Sequence, residues 1–222
     1  MDSQQRSETN SSITGRRFDS EPPNQALERT HDVFASLFGA HRAPLSSELG
    51  RALDPKSPSI RGAEQGDWAR IIQINDGEVH QTSAMDLPKL QALAALACYH
   101  KVATIRDCVA AFLIALRKHT SYNNDNYKWF SSRLDDFIYV DRIVVATEYA
   151  GLKIGTLLYE DLFAYARLCG VRNITCEFNI APPNPASAAF HRKFGFRELG
   201  RQWVANHTKW VSLQAAAAQL PH

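Results

Sequence analysis

The hydrophobic pattern of the chain changes character at about residue 66. Residues 1–66 are rich in Ser, Arg, Glu, Pro and Gln and carry no sustained hydrophobic period. A segment of this kind cannot bury enough apolar surface to offset its conformational entropy, so it reads as a disordered N-terminal extension. Within it, HDVFASLFGA places Val33, Phe34, Leu37 and Phe38 on one helical face, with Gly39 as a stop. That stretch is either a docking helix or a transient helix in a tail. Regular patterning begins near Trp68.

From there WARIIQI reads as a strand. Ser83 and Asp86 have capping-box spacing ahead of LPKLQALAALA, a helix with leucines at 87, 90, 93 and 96. HKVATIRDCVAAFLIAL predicts two strands joined by a turn at Arg106 and Asp107. RKHTSYNNDNYKWFSSRLDD is polar, with four aromatic residues, and predicts a long loop of the functional or mobile kind. FIYVDRIVVA is a strand. Ile154, Leu158, Leu162, Tyr165, Ala166 and Cys169 then follow helical spacing up to Gly170, a good stop. ITCEFN is a strand with Ile174, Cys176 and Phe178 on one face and Thr175 and Glu177 on the other. Asn184 as N-cap and Pro185 as first helical residue open another helix, which Gly195 ends. FRELGRQWV and HTKWVSL close the domain as paired strands. The order predicts an α/β domain over residues 67–214, with 215–222 as a tail.

A length of 222 residues suits one domain plus a tail, or at most two small domains, and 45% hydrophobic residues can fill a normal core. The formal net charge is +2, without any run of Lys or Arg, so neither nucleic acid nor an anionic membrane is an expected partner. No window is long and apolar enough to span a membrane. The four cysteines, Cys98, Cys108, Cys169 and Cys176, form no C-x-x-C pair, and no metal site is expected. Cys98 and Cys169 fall at the ends of helical runs, Cys108 and Cys176 in strand-like ones. Thiols packed as small hydrophobes, with acids at 2, 8, 19 and 21 and no apolar leader, fit a cytoplasmic setting.

The candidate chemistry centres on DRIVVATEYAGLKIGTLLYEDL, residues 141–162. An apolar strand breaks into a loop with Gly151 and Gly155, and a helix follows. The spacing fits neither a Walker loop nor a dinucleotide fingerprint. A helix N-terminus still offers free N–H groups and partial positive charge to an anion, and glycine lets a phosphate approach the backbone. The alternative is a tight strand-to-helix connection with Gly155 packed on the sheet.

This segment resembles the acetyl-CoA loop of the GNAT superfamily of N-acetyltransferases, Arg/Gln-x-x-Gly-x-Gly/Ala after a strand ending in Val. NPASAAFHRKFGF, residues 184–196, resembles the family's second motif, an Asn followed by Tyr-x-Lys-x-Gly-Phe. The likeness covers roughly 68–214 and is strongest over 136–200. FIYVDRIVV and the PPNP loop are similar to a bacterial branch of predicted acetyltransferases. Two positions depart from the pattern. Ala150 stands at the Arg/Gln position and Lys153 at the first glycine, so the motif's phosphate-binding side chain is missing and a bulky one stands in the loop. Lys153 either swings toward the pyrophosphate or obstructs it.

The resemblance implies a GNAT acyl-CoA N-acyltransferase fold, with a mixed central sheet flanked by helices. It implies acetyl-CoA as cosubstrate and direct transfer to a primary amine of a small molecule, without metal or acyl-cysteine. Backbone groups of Val144 and Val145 would hold the pantetheine, with the Val145 N–H as oxyanion donor. Ala150, Gly151, Leu152, Lys153, Ile154, Gly155 and Thr156 would hold the pyrophosphate. Asn184 and Ser187 would complete the cofactor set, although Asn184 also suits a helix cap. His191, at the tyrosine position, is the candidate proton donor to the leaving thiolate; the alternative is a surface histidine. Asp141 is the candidate acid that binds or deprotonates the amine, sharing a strand face with Tyr139 and Ile143 while Arg142 points away. Its alternative is an ion pair with a distant Arg or Lys. Glu177 is the second catalytic candidate. Tyr122, Asn126, Tyr127, Trp129 and Tyr139 are the expected acceptor wall. A catalytically impaired sensing or partner-binding module on the same fold stays open, as does a homodimer.

Overall fold

The central sheet of this computed structural model, which describes residues 57–219, has seven strands. In chain order they are β1 (Ser59–Gly62), β2 (Ala97–Ile105), β3 (Cys108–Arg117), β4 (Ile138–Val145), β5 (Asn173–Ala181), β6 (Arg197–Val204) and β7 (Lys209–Ala217). Their order across the sheet is β1-β2-β3-β4-β5-β7-β6. Every neighbouring pair is antiparallel except β4 and β5. The helices are α1 (Trp68–Gly77), α2 (Leu87–Leu96), α3 (Asp125–Ser131), α4 (Ile154–Leu168) and α5 (Pro185–Lys193). No helix among the described residues is long and apolar enough to cross a membrane. The docking-helix stretch around Phe34 and Phe38 lies outside the described residues.

Both faces of the sheet are covered, because alternate residues of β3 feed two cores. Leu113 and Ala115 pack under α4 with Leu158 and Leu162. Phe112 and Ile114 pack under α1 and α2 with Ile71, Ile74, Leu90 and Leu93. A third cluster joins α3 to the sheet through Tyr127, Phe130, Phe137, Tyr139 and Leu213.

Several expected elements shift. WARIIQI is helical, not a strand. Ile71, Ile74 and Asn75 are the buried positions of α1, a helical spacing that the β-branched residues obscure. A 3-10 turn at Gln65–Asp67 leads into it, where Asp67 accepts from Glu64 N–H and pairs with both terminal nitrogens of Arg61. The described elements therefore start at Ser59 rather than Trp68. Asp86, not Ser83, caps α2, accepting from Lys89 N–H at 2.9 Å. The long polar loop contains α3, capped by Asn124. Cys98 lies in β2. β7 runs to Ala217 and pairs Ala215–Ala217 with β5, so the tail begins later than expected.

Trp129 of α3 lies across β6. A Cβ added at Gly200 would stand 2.5 Å from its ring, and Arg133 covers the ring at 4.1 Å. Gly200→Val is therefore expected to destabilise the fold by about 1–3 kcal/mol, read as a lower urea midpoint. An unchanged midpoint would mean that the indole moves aside without cost.

Candidate active site

Two features of β4 build the site. The first is a bulge. Ile114 pairs with Arg142 and Ala115 with Val140, so Asp141 is the extra residue. The bulge breaks strict alternation: Ile138 and Val140 face α4 before it, Ile143 and Val145 after it. Asp141 and Arg142 thus come together, and the expected opposition of their side chains does not hold. Arg142 Nε donates to Asp141 Oδ2 at 2.7 Å, with both side chains under 5% exposed. Arg142 also donates to Asn75 Oδ1 and to the carbonyl and hydroxyl of Ser83, and Tyr122 donates to Asp141 Oδ1. The partner of Asp141 is its chain neighbour rather than a distant cation.

The second feature is a parting of strands. β4 and β5 pair only at Ile138–Ile174 and Tyr139–Thr175. Beyond these pairs a cleft of about 580 Å³ opens between Val140–Ile143 of β4 and Cys176–Asn179 of β5. Ser187 and His191 of α5, and Asn184 that caps it, line it too. Ala146 N–H donates to Ala110 carbonyl on β3, so by alternation Val145 and Ile143 turn their N–H and C=O groups toward the opening. Val144 instead faces β3, and its side chain is buried under α1 and α2.

The loop after β4 passes through a 3-10 turn (Thr147–Tyr149) into α4. Gly151 has φ +82° and Lys153, the N-cap, φ 58°. Lys153 thus adopts the left-handed conformation that glycine favours, and the backbone path survives the exchange. Its side chain is exposed and caps nothing. The first N–H groups of α4 are left without a side-chain partner. A Cβ at Gly155 would lie 3.5 Å from Phe190 and 3.6 Å from Val145, which sets this helix start between the end of β4 and α5.

Glu177 stands in the opposite wall. Tyr139 donates to its Oε1 at 3.0 Å, and its Oε2 is buried without a partner. Burial, then the negative charge of Asp141, pushes its pKa up to about 8. His191 is not the surface histidine of the alternative reading. It is 5% exposed, and burial pushes its pKa down to about 4, so the ring is neutral. Nδ1 lies 2.8 Å from the Ser187 carbonyl and must carry the proton; Nε2, 2.8 Å from Tyr159 Oη, then accepts from it. Asn184 Oδ1 accepts from Ser187 N–H and caps α5.

The structure therefore gathers Asp141, Glu177, His191, Asn184, Ser187, Tyr122 and Asn126 around one cleft. Three expected wall residues lie elsewhere. Tyr127 is buried on Thr120 and the Arg117 carbonyl, Trp129 packs on β6, and Tyr139 is fully buried behind Glu177. Sequence reasoning missed Lys89, Arg142, Tyr159 and Lys209, all in the wall. Arg142 carried a signal, a charge inside an apolar strand; the lysines carried none.

A mixed sheet that parts beside an uncapped helix start offers strand-edge and helix-end N–H groups to an extended ligand with an anionic end. The Acetyltransferase (GNAT) family matches residues 67–196. No curated protein matches the sequence. Solved structures share the fold. The ribosomal-protein-S18-alanine N-acetyltransferase from Escherichia coli is 15% identical, with TM-score 0.57 over 75% of this chain and 97% of that one. Ard1 from Thermoplasma volcanium is 13% identical, with TM-score 0.59 over 72% and 97%. Arabidopsis thaliana Naa50, in complex with the bisubstrate analogue CoA-Ac-MVNAL, is 15% identical, with TM-score 0.56 over 72% and 98%. The chain belongs to the GNAT acetyltransferase family.

Proposed function

We propose that the protein transfers an acetyl group from acetyl-CoA directly to the primary amine of a small molecule. One observation carries the reading: the unpaired edge of β4 leads straight to the uncapped start of α4. The residues present fit the cosubstrate. Ile143 and Val145 offer strand-like hydrogen bonds to an extended amide arm, and the N–H groups of α4 offer a seat for phosphate. When bound, acetyl-CoA supplies an acetyl group already activated as a thioester. The Val145 N–H points where an oxygen gaining negative charge can be stabilised. Glu177 receives the amine proton. The Tyr159 hydroxyl spends its one proton on Nε2 of neutral His191, so this pair positions the α5 wall of the cleft, and the departing thiolate takes its proton from solvent.

Two further observations support the details. The cleft volume lies in the range of small-ligand sites. Cys176 is the cysteine that lines it, and burial pushes that thiol well above its ordinary range, against an acyl-cysteine relay.

Calorimetry with acetyl-CoA tests the reading. The native protein is expected to bind. Lys153→Gly relieves a left-handed conformation that costs about 1 kcal/mol or more, and is expected to keep binding without loss of stability. Lys153→Glu places a negative charge at the helix start and is expected to weaken binding about tenfold. Binding restored only by the glycine would favour a non-catalytic module obstructed by Lys153.

A further inference from the structure

Two cations stand in the cleft wall with no acid paired to them. Lys89 of α2 donates from Nζ to Ser83 Oγ at 2.9 Å and to the Ala84 carbonyl at 2.8 Å. Lys209, at the start of β7, donates from Nζ to the Thr82 carbonyl at 2.6 Å. Both line the cleft. They anchor on successive residues of one loop, so the two ammonium groups flank the same short stretch of backbone. Neither joins an ion pair among the described residues.

An ammonium has three donors. Lys89 uses two and Lys209 one, so each keeps at least one for a ligand. Arg142, the third cation of the wall, is consumed by Asp141, Asn75 and Ser83. Burial lowers the pKa of both lysines, with the charge of Arg142 adding to it at Lys89. A bound anion would offset that cost. Elsewhere in the same wall stands Glu177, its Oε2 buried and unpartnered. The cleft thus has a cationic rim and a carboxyl wall.

We infer that the acceptor is an amino acid or a similar amino-carboxylate, its carboxylate held by Lys89 and Lys209 and its amine directed to Glu177. The fate of the amine rests on the acetyltransferase reading; the carboxylate site does not. A peptide N-terminus fits less well, because its first carboxyl is spent in an amide and cannot accept as a carboxylate does.

The test titrates the full-length protein by calorimetry, with CoA saturating and again without it. The probes are a series of α- and ω-amino acids, each beside the alkylamine of the same chain length, and a short peptide with a free N-terminus. At least one amino acid is expected to bind about tenfold more tightly than its amine partner. Lys89→Met and Lys209→Met keep the apolar stems, and each is expected to shrink that ratio while leaving alkylamine affinity unchanged. Circular dichroism verifies that the variants fold, and the conservative Lys89→Arg and Lys209→Arg variants should restore part of the preference. If amines bind as well as amino acids, if the ratio survives both methionine variants, if the peptide binds best, or if nothing binds, the inference is overturned. CoA binding in those cases leaves the acetyltransferase reading standing. A lysine-dependent preference without CoA binding would support the carboxylate site and sink that reading instead.

Discussion

Glu177→Gln is expected to lower kcat by about a hundredfold to a thousandfold while the protein stays folded and binds acetyl-CoA unchanged. The reason is the contrast between two acids. Asp141 spends one oxygen on Tyr122 and the other on Arg142. Glu177 spends one on Tyr139 and keeps Oε2 in the wall of the cleft. A carboxyl whose pKa is pushed up to about 8 is a far better proton acceptor for an amine than an ordinary one. Glutamine keeps the shape and loses the basicity. In the native protein kcat/KM is expected to rise about tenfold per pH unit below 8 and to level above it. The acceptor's own ionisation enters both profiles equally, so the difference between native and variant isolates Glu177. Full turnover by the variant at every pH would remove Glu177 from the mechanism.

The same residue has a stability signature. Its folded pKa, about 8, lies above its ordinary value of 4.5, so the folded state holds the proton more tightly than the unfolded one. Its stabilising contribution is therefore complete below 4.5 and is lost as pH rises to about 8. Glutamine has no such loss. Thermal midpoints of native and variant should converge below pH 4.5 and separate up to about 8, the variant becoming the more stable. Activity and stability would then pull in opposite directions at one side chain, as expected of a group kept buried for its chemistry.

Much of the fold was legible because local signals agreed with it. Arg106 and Asp107 make the β2–β3 turn with φ 50° and 61°, although neither is glycine. Gly170 and Gly195 end α4 and α5 with positive φ, as their positions suggested. Asn184 and Pro185 start α5 as a cap and first residue should. What was not legible depends on partners distant in sequence. Tertiary packing makes WARIIQI a helix against strong β propensity. A bulge, invisible in a pattern of period two, moved Arg142 to the side of Asp141. His191 looks like a surface residue until Tyr159, Phe178 and Phe196 close around it. The cofactor loop was suggested by its resemblance to the family's motif, yet its path depends on Lys153 adopting a left-handed conformation that no spacing reveals.

Arg142→Met is expected to cost about 3–5 kcal/mol of stability, the largest loss of any single change proposed for this protein. Removing the guanidinium leaves Asp141, 3% exposed at its side chain, charged and facing only Tyr122. It also frees Asn75 and Ser83, which Arg142 ties to the bulge of β4. Asp141→Asn should be costly for the mirror-image reason, an arginine 4% exposed at its side chain without its counter-ion. The double variant Asp141→Asn with Arg142→Met removes both charges and should recover much of the loss, so that the two single effects sum to more than the pair. Chemical denaturation of the four proteins measures this coupling. Strong coupling would mean that the Asp141 charge is consumed in fastening β4 to α1, and that slow turnover in Asp141→Asn reflects a loosened site. Additive losses would mean the reverse: Asp141 would be free of Arg142 in solution and available to the acceptor amine, and Glu177 would no longer be the sole base the cleft offers.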